Sequence, residues 1–277
     1  MSAGVARVGR DGALSLAFRR RGTATILAAS RSILPLQVLA PLALADAASV
    51  VSILNPTGGV VGGDRFAIDV DVGPGADACL TTPSANRIYR AAAEPAEQAV
   101  RLRLGPGASL EWVPDHGIPF PGAAFRQTID AEVGEGATLV LMDAWAAGRV
   151  ARNEAWRFAL LDSALTARDG AGLLVHDRFV LPAAVSPTVL GLAEGRPYFA
   201  TVVVIADEGV GPFGEALEDA APAWTGAVTG LATLPRRGAL VRCLADSAPA
   251  LATALDGIWT LARREVLKKP PLALRKC

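Results

Sequence analysis

Histidine and cysteine are scarce in this chain: its 277 residues hold two His and three Cys. His116 and His176 stand far apart, and Cys79, Cys243 and Cys277 are scattered with no CxxC spacing. A tight zinc or nickel site needs such ligands clustered, so none is expected. The odd, dispersed cysteines also argue against a disulfide framework and for a reducing compartment. No Gly-x-Ser-x-Gly element and no Cys-His arrangement points to nucleophilic catalysis. No apolar run follows the basic residues near the N-terminus as it would in a secretory leader. The apolar stretch from Ile33 to Leu54 is interrupted by Pro35, Pro41 and Asp46, which suits strands and a loop better than a membrane helix. The expectation is a cytoplasmic chain with no membrane span and no visible enzyme chemistry.

Charge is also sparse, at 19% of residues against 51% hydrophobic, so the chain can bury a large core as one long β domain or two ordinary domains. The formal net charge is zero but unevenly placed. Residues 1–31 carry six Arg against Asp11, and residues 263–277 carry six Lys or Arg against Glu265, leaving an acidic body between basic ends. Two readings fit: solvated, loose termini, or electrostatic docking of the ends on acidic partner surfaces. Nucleic acid is not supported, because no basic-aromatic stripe accompanies the clusters and the body would repel phosphate.

Glycine and proline, by contrast, are plentiful, with 28 Gly and 19 Pro between short Val/Leu/Ile-rich runs. That is the pattern of turns joining strands. Val72-Gly73-Pro74-Gly75-Ala76, Leu104-Gly105-Pro106-Gly107-Ala108 and Val133-Gly134-Glu135-Gly136-Ala137 repeat one motif at intervals of 32 and 29 residues. Before the turns the sequence alternates, as in Phe66-Ala67-Ile68-Asp69-Val70-Asp71-Val72, the signature of a half-buried strand. Self-similarity at this period indicates stacked units that bury their apolar faces on one another, hence a mainly β, solenoid-like stack. Ordinary hairpins in a sandwich remain the competing arrangement. Asp169-Gly170-Ala171-Gly172 reads as a weaker fourth copy. An Ala-rich stretch within Ser84–Arg103 reads as a short helix across the stack. A C-terminal helical appendage is expected over about 247–267, with Ser247 as N-cap and a basic end at Arg263 and Arg264. The β-rich body is expected over about 35–245, within one domain spanning 1–277.

The densest glycine cluster is Asn55-Pro56-Thr57-Gly58-Gly59-Val60-Val61-Gly62-Gly63-Asp64-Arg65. A phosphate loop would need Lys-Ser/Thr and a following helix, whereas here Asp64 stands near the lysine's place and a strand follows. Gly58, Gly59, Gly62 and Gly63 are better read as allowing positive φ and close chain approach, with Asp64 at the mouth of a strand.

This run resembles the pattern of the urease accessory protein UreD (UreH) family, close to His-Pro-Pro-Gly-Gly-Val-Val-Gly-Gly-Asp. Leu80-Thr81-Thr82-Pro83-Ser84-Ala85-Asn86-Arg87-Ile88-Tyr89-Arg90 and Gly107-Ala108-Ser109-Leu110-Glu111-Trp112-Val113-Pro114 resemble two further family motifs, in the right order. Departures are Asn55 and Thr57, Ser84 where glycine is usual, and the 115–121 segment. The resemblance implies a β-helix-like fold with a small helical part. It also implies a non-catalytic scaffold or chaperone that assembles with UreF and the GTPase UreG on apo-urease and delivers nickel, with nickel as cargo and no tightly held cofactor. An internal passage would then be lined by weak ligands, for which Asp64, Thr82, Ser84, Asp143 and His116 are the candidates. The alternatives are a β-solenoid carbohydrate-active enzyme with paired carboxylates and a docking module without metal passage.

Overall fold

A computed structural model describes residues 9–43, 48–183 and 193–274. Arg7, Arg275, Lys276 and Cys277, part of the basic-ends and cysteine readings, lie outside them. Two large sheets face each other. The chain passes from one to the other and back, so that sequential coils stack as in a β-helix.

Ser49–Leu54, Asp77–Thr81, Ser109–Val113 and Thr138–Ala146 lie side by side and parallel in an eleven-stranded sheet. Arg65–Val72, Ala96–Leu104, Ala124–Val133 and Leu160–Asp169 do the same in a seven-stranded sheet. The repeated glycine motif makes the corner between sheets, not a hairpin. Its first glycine is needed because the corners stack directly: a Cβ at Gly105 would stand 2.8 Å from the Pro74 nitrogen, and one at Gly134 would stand 2.7 Å from the Leu104 carbonyl. The second glycine adopts φ of +61° to +64° at Gly75, Gly107 and Gly136, a region closed to most side chains. The alanine that follows is buried each time, at Ala76, Ala108 and Ala137.

Alternation explains the seven-stranded sheet. Phe66, Ile68, Val70 and Val72 point into the core while their neighbours face outward, and the same phase recurs in Val100, Leu102 and Leu104. The centre of the eleven-stranded sheet is covered on both faces, so strands such as Ser109–Val113 and Thr138–Ala146 are buried nearly throughout. Antiparallel strands extend it at one side, with Tyr198–Ile205, Ala239–Ala245 and Ala227–Thr233 following Thr138–Ala146. Helices α1 (Val210–Ala220) and α2 (Ala248–Glu265) lie on its outer face, burying Phe213, Leu217, Ile258 and Trp259 against Val140, Val202 and Val241.

Several expectations need correction. Strands begin at Asp11, well before the body expected from residue 35. Within Ser84–Arg103 there is no helix. Asn86–Ile88 and Ala96–Leu104 are strands, because the parallel ladder outweighs the weak helical preference of the alanines. The fourth glycine motif does not cross to the other sheet but closes an antiparallel hairpin between Leu160–Asp169 and Gly172–Pro182. Helix α1 escapes sequence reading because its start, Gly209-Val210-Gly211-Pro212, has the composition of a turn and no side-chain cap. Helix α2 is as expected at its start, where Ser247 accepts from the Ala250 N–H at 3.3 Å. It is no appendage, however. Arg263, 1% exposed, lies against Glu111, 0% exposed, with its Nη1 2.6 and 2.7 Å from the carboxylate oxygens, and Trp259 Nε1 donates to the same carboxylate at 2.6 Å.

Both described cysteines are buried, and burial pushes the Cys243 thiol up to about 11. Thiolate is the reactive form, so Cys79 and Cys243 should resist iodoacetamide in the native chain at pH 8 and react fully after denaturation. Mass spectrometry after timed alkylation checks this, and fast native labelling of either would contradict the burial.

Candidate functional site

A cavity of 260 Å³ opens between the two sheets, where the first coils end. Asn55, Thr82, Ser84, Gln98, Gln127 and Asp143 line it together with Asn86, Arg87 and Asp115 and with apolar residues such as Ile53, Ile129 and Trp145. The glycine cluster forms part of its rim. Gly59 passes so close to the neighbouring strand that a Cβ would stand 2.4 Å from the Arg87 carbonyl, and one at Gly62 would stand 2.6 Å from Ala91 Cα. The segment is held there by Val60 N to Arg87 O at 2.8 Å and Tyr89 N to Val60 O at 2.7 Å.

The polar part of the cavity has a register. On consecutive parallel strands of the seven-stranded sheet, Gln98, Gln127 and Ser163 stand opposite one another, flanked by Phe66 and Phe179 in the same row. Gln98 Nε2 donates to Gln127 Oε1 at 2.9 Å. Gln127 Nε2 donates to Asp143 Oδ1 at 2.9 Å and to Ser163 Oγ at 3.2 Å, and Ser163 Oγ donates to Asp143 Oδ2 at 2.8 Å. Asp143 comes from the opposing sheet, so the row crosses the core. Beside it in register are Thr201 and then Arg242, whose guanidinium pairs with Asp177 of the other sheet and closes that side.

Burial pushes the Asp143 carboxyl above the ordinary aspartate range, against the hydrogen bonds from Ser163 and Gln127 that favour its charge. The folded chain therefore holds this proton more tightly than the unfolded one, and its stability declines as pH rises through the window between the ordinary aspartate value and the raised one. The Tm of the wild type relative to Asp143→Asn should accordingly rise as pH is lowered from neutral towards the ordinary aspartate range. Paired thermal melts across that range check the sign, and a relative decline would contradict it.

The sequence candidates separate into three groups. Thr82, Ser84 and Asp143 share the cavity with Gly58 and Gly59. His116 lies instead in a groove of 510 Å³ beneath α2, with its ring 6.1 Å from that of Tyr198. Groove and cavity have Ser84, Ala85, Pro114, Asp115 and Met142 in common, so these residues form the wall between them. Asp64, 3% exposed, is not part of the cavity lining. Its two oxygens accept from the Arg10 N–H at 2.8 Å and the Val61 N–H at 2.9 Å, which fixes the glycine turn. Among the described residues no group of three or more His, Cys, Asp or Glu is placed to hold a metal ion, and no helix is long and apolar enough to cross a membrane.

Gln98, Gln127, Ser163 and Glu111 were not singled out from sequence. A signal existed for the first three: each is a polar residue in the inward phase of an alternating strand, as Gln127 is between Phe125 and Ile129. For Glu111 the adjoining Leu110 and Trp112 promise burial, but the partner lies 152 residues away on α2.

The family model described as UreD urease accessory protein matches residues 10–276. Similar curated proteins include a urease accessory protein UreD of Deinococcus radiodurans, 34% identical over 83% of this chain and 83% of its own length. Another is the urease accessory protein UreD 2 of Streptomyces griseus subsp. griseus, 35% identical over 84% and 82%. A third is from Anaeromyxobacter sp., 36% identical over 84% and 78%.

Proposed function

Because this chain belongs to the UreD family of urease accessory proteins, we propose that it serves urease maturation as a non-catalytic cytoplasmic scaffold. In this reading it binds UreF, joins UreG through that complex, and docks on apo-urease so that Ni²⁺ reaches the enzyme's active site. Nickel is cargo and no cofactor is retained.

The observation that carries the reading is the polar row across a core otherwise filled with Leu, Val, Ile and Phe. Burying hydrogen-bonding groups is costly unless they are satisfied, and an apolar row would pack the sheets at no such cost. Hydroxyl, amide and carboxylate oxygens beside a cavity suit a hydrated divalent cation that must be released again. A cluster of imidazoles or thiolates would retain it. Thr82, Ser84 and Asp143 line this route, His116 stands on the groove beyond its wall, and Asp64 holds the rim in shape.

Reconstitution tests the assignment. Apo-urease, UreF, UreG, GTP and Ni²⁺ should yield active urease only when this chain is added, and the chain should co-purify with UreF. Equal activation without it would contradict the scaffold role. Normal activation by a variant with the polar row disrupted would leave a docking module without metal passage.

A further inference from the structure

Gln127 sits at the crossing point of the polar row. Its amide faces Asp143 with the donor end, and its acceptor end is taken by Gln98 Nε2. Both Asp143 oxygens are thus occupied, one by Gln127 and one by Ser163. With the carboxylate alone, this is the favourable orientation, because the opposite one would set an amide oxygen against a carboxylate oxygen. A cation beside Asp143 reverses the preference. The amide oxygen then becomes a ligand and the NH₂ group becomes repulsive. Rotation about the terminal torsion of a glutamine is soft, so one side chain can present either end without moving its backbone. If Gln127 turns, its NH₂ meets the NH₂ of Gln98, which must turn as well to offer its oxygen. Gln98 lines the cavity and is only half buried, so it has room to do so.

Resting on the conduit reading above, we propose that the Gln98–Gln127 amide pair is a polarity switch. It presents donors to Asp143 when no cation is there and oxygens when one arrives, which keeps the carboxylate accessible to cargo without trapping it. The row needs an amide at Gln127 specifically, because a carboxylate would be a permanent ligand and an apolar side chain would offer neither state.

The test uses the full-length chain in its complex with UreF, with Ni²⁺ alone as the probe and UreF alone as the blank. By equilibrium dialysis, Gln127→Glu should bind Ni²⁺ about tenfold or more tightly than wild type, the equivalent of ~1.4 kcal/mol. It should also activate urease less at limiting nickel. Both changes should vanish in Gln127→Glu combined with Asp143→Asn. Wild-type nickel affinity in Gln127→Glu, with activation still lost in Asp143→Asn, would overturn the switch and leave the conduit standing. Unchanged activation in Asp143→Asn would remove the conduit itself. Should Gln127→Glu fail to assemble with UreF, Gln127→Met decides. With no amide to turn, activation at limiting nickel should drop severalfold in intact complexes, and wild-type activation would overturn the proposal.

Discussion

Arg263→Ala should cost the chain roughly 3–5 kcal/mol of stability, because it leaves the Glu111 carboxylate buried with its main countercharge gone. At a chain of this size that corresponds to a drop in Tm of about 10 °C. The pair does more than neutralise charge. Arg263 Nε also donates to the Pro270 carbonyl at 2.7 Å, so one guanidinium ties α2, the segment after it and the centre of the eleven-stranded sheet together. Replacing both Glu111 and Arg263 by Met should recover only part of the loss, since it removes both buried charges but leaves the Trp259 indole N–H and the Pro270 carbonyl without their partners. Denaturant titration of the single and double variants measures this. A loss below about 1 kcal/mol for Arg263→Ala, the size expected of an exposed pair, would contradict the structure.

Asp64→Ala should cost roughly 1–3 kcal/mol, because it leaves the Arg10 and Val61 N–H groups without the carboxylate that both donate to in a partly buried turn. Asp64→Asn should cost about half of that, as one amide oxygen can still accept one of the two. The damage will not stay local. Val60 and Val61 lead directly from Gly58 and Gly59 on the cavity rim, so a loosened turn alters the cavity as well. Thermal melts of the two variants, read beside urease activation, should show activity declining in step with stability. A large activation loss in a fully stable Asp64→Asn would instead assign the carboxylate a direct role with the cation.

The stack was legible because its cause is local and repeated. A corner that must approach its neighbour needs glycine at one position, one that turns through positive φ needs glycine two residues later, and the period of this pair reports the coil length. Parallel register then follows from the alternating strands. Hidden features are those whose cause lies far along the chain. Gln127 meets Asp143 and Ser163 only after the coils have stacked, and Glu111 meets Arg263 only after α2 has folded back onto the sheet. Asp64 and Asp143 were both candidates in sequence, yet Asp64 stands just before Arg65–Val72 and is bound by backbone N–H groups, whereas Asp143 lies within Thr138–Ala146 and is bound by side chains of the core. The α1 start shows the opposite limit: Gly209, Gly211 and Pro212 favour a turn locally, and only the packing of Phe213 and Leu217 on the sheet makes the segment helical.

The most direct test of the account is the rate and extent of urease activation by complexes containing Asp143→Asn at limiting Ni²⁺. The substitution preserves shape and removes the one buried carboxylate that the polar row is built around. Complexes with UreF and UreG should form normally, activation at limiting nickel should drop by about tenfold or more, the scale of losing one charged ligand group, and excess nickel should restore part of it. Full activation at limiting nickel by intact Asp143→Asn complexes would contradict the account.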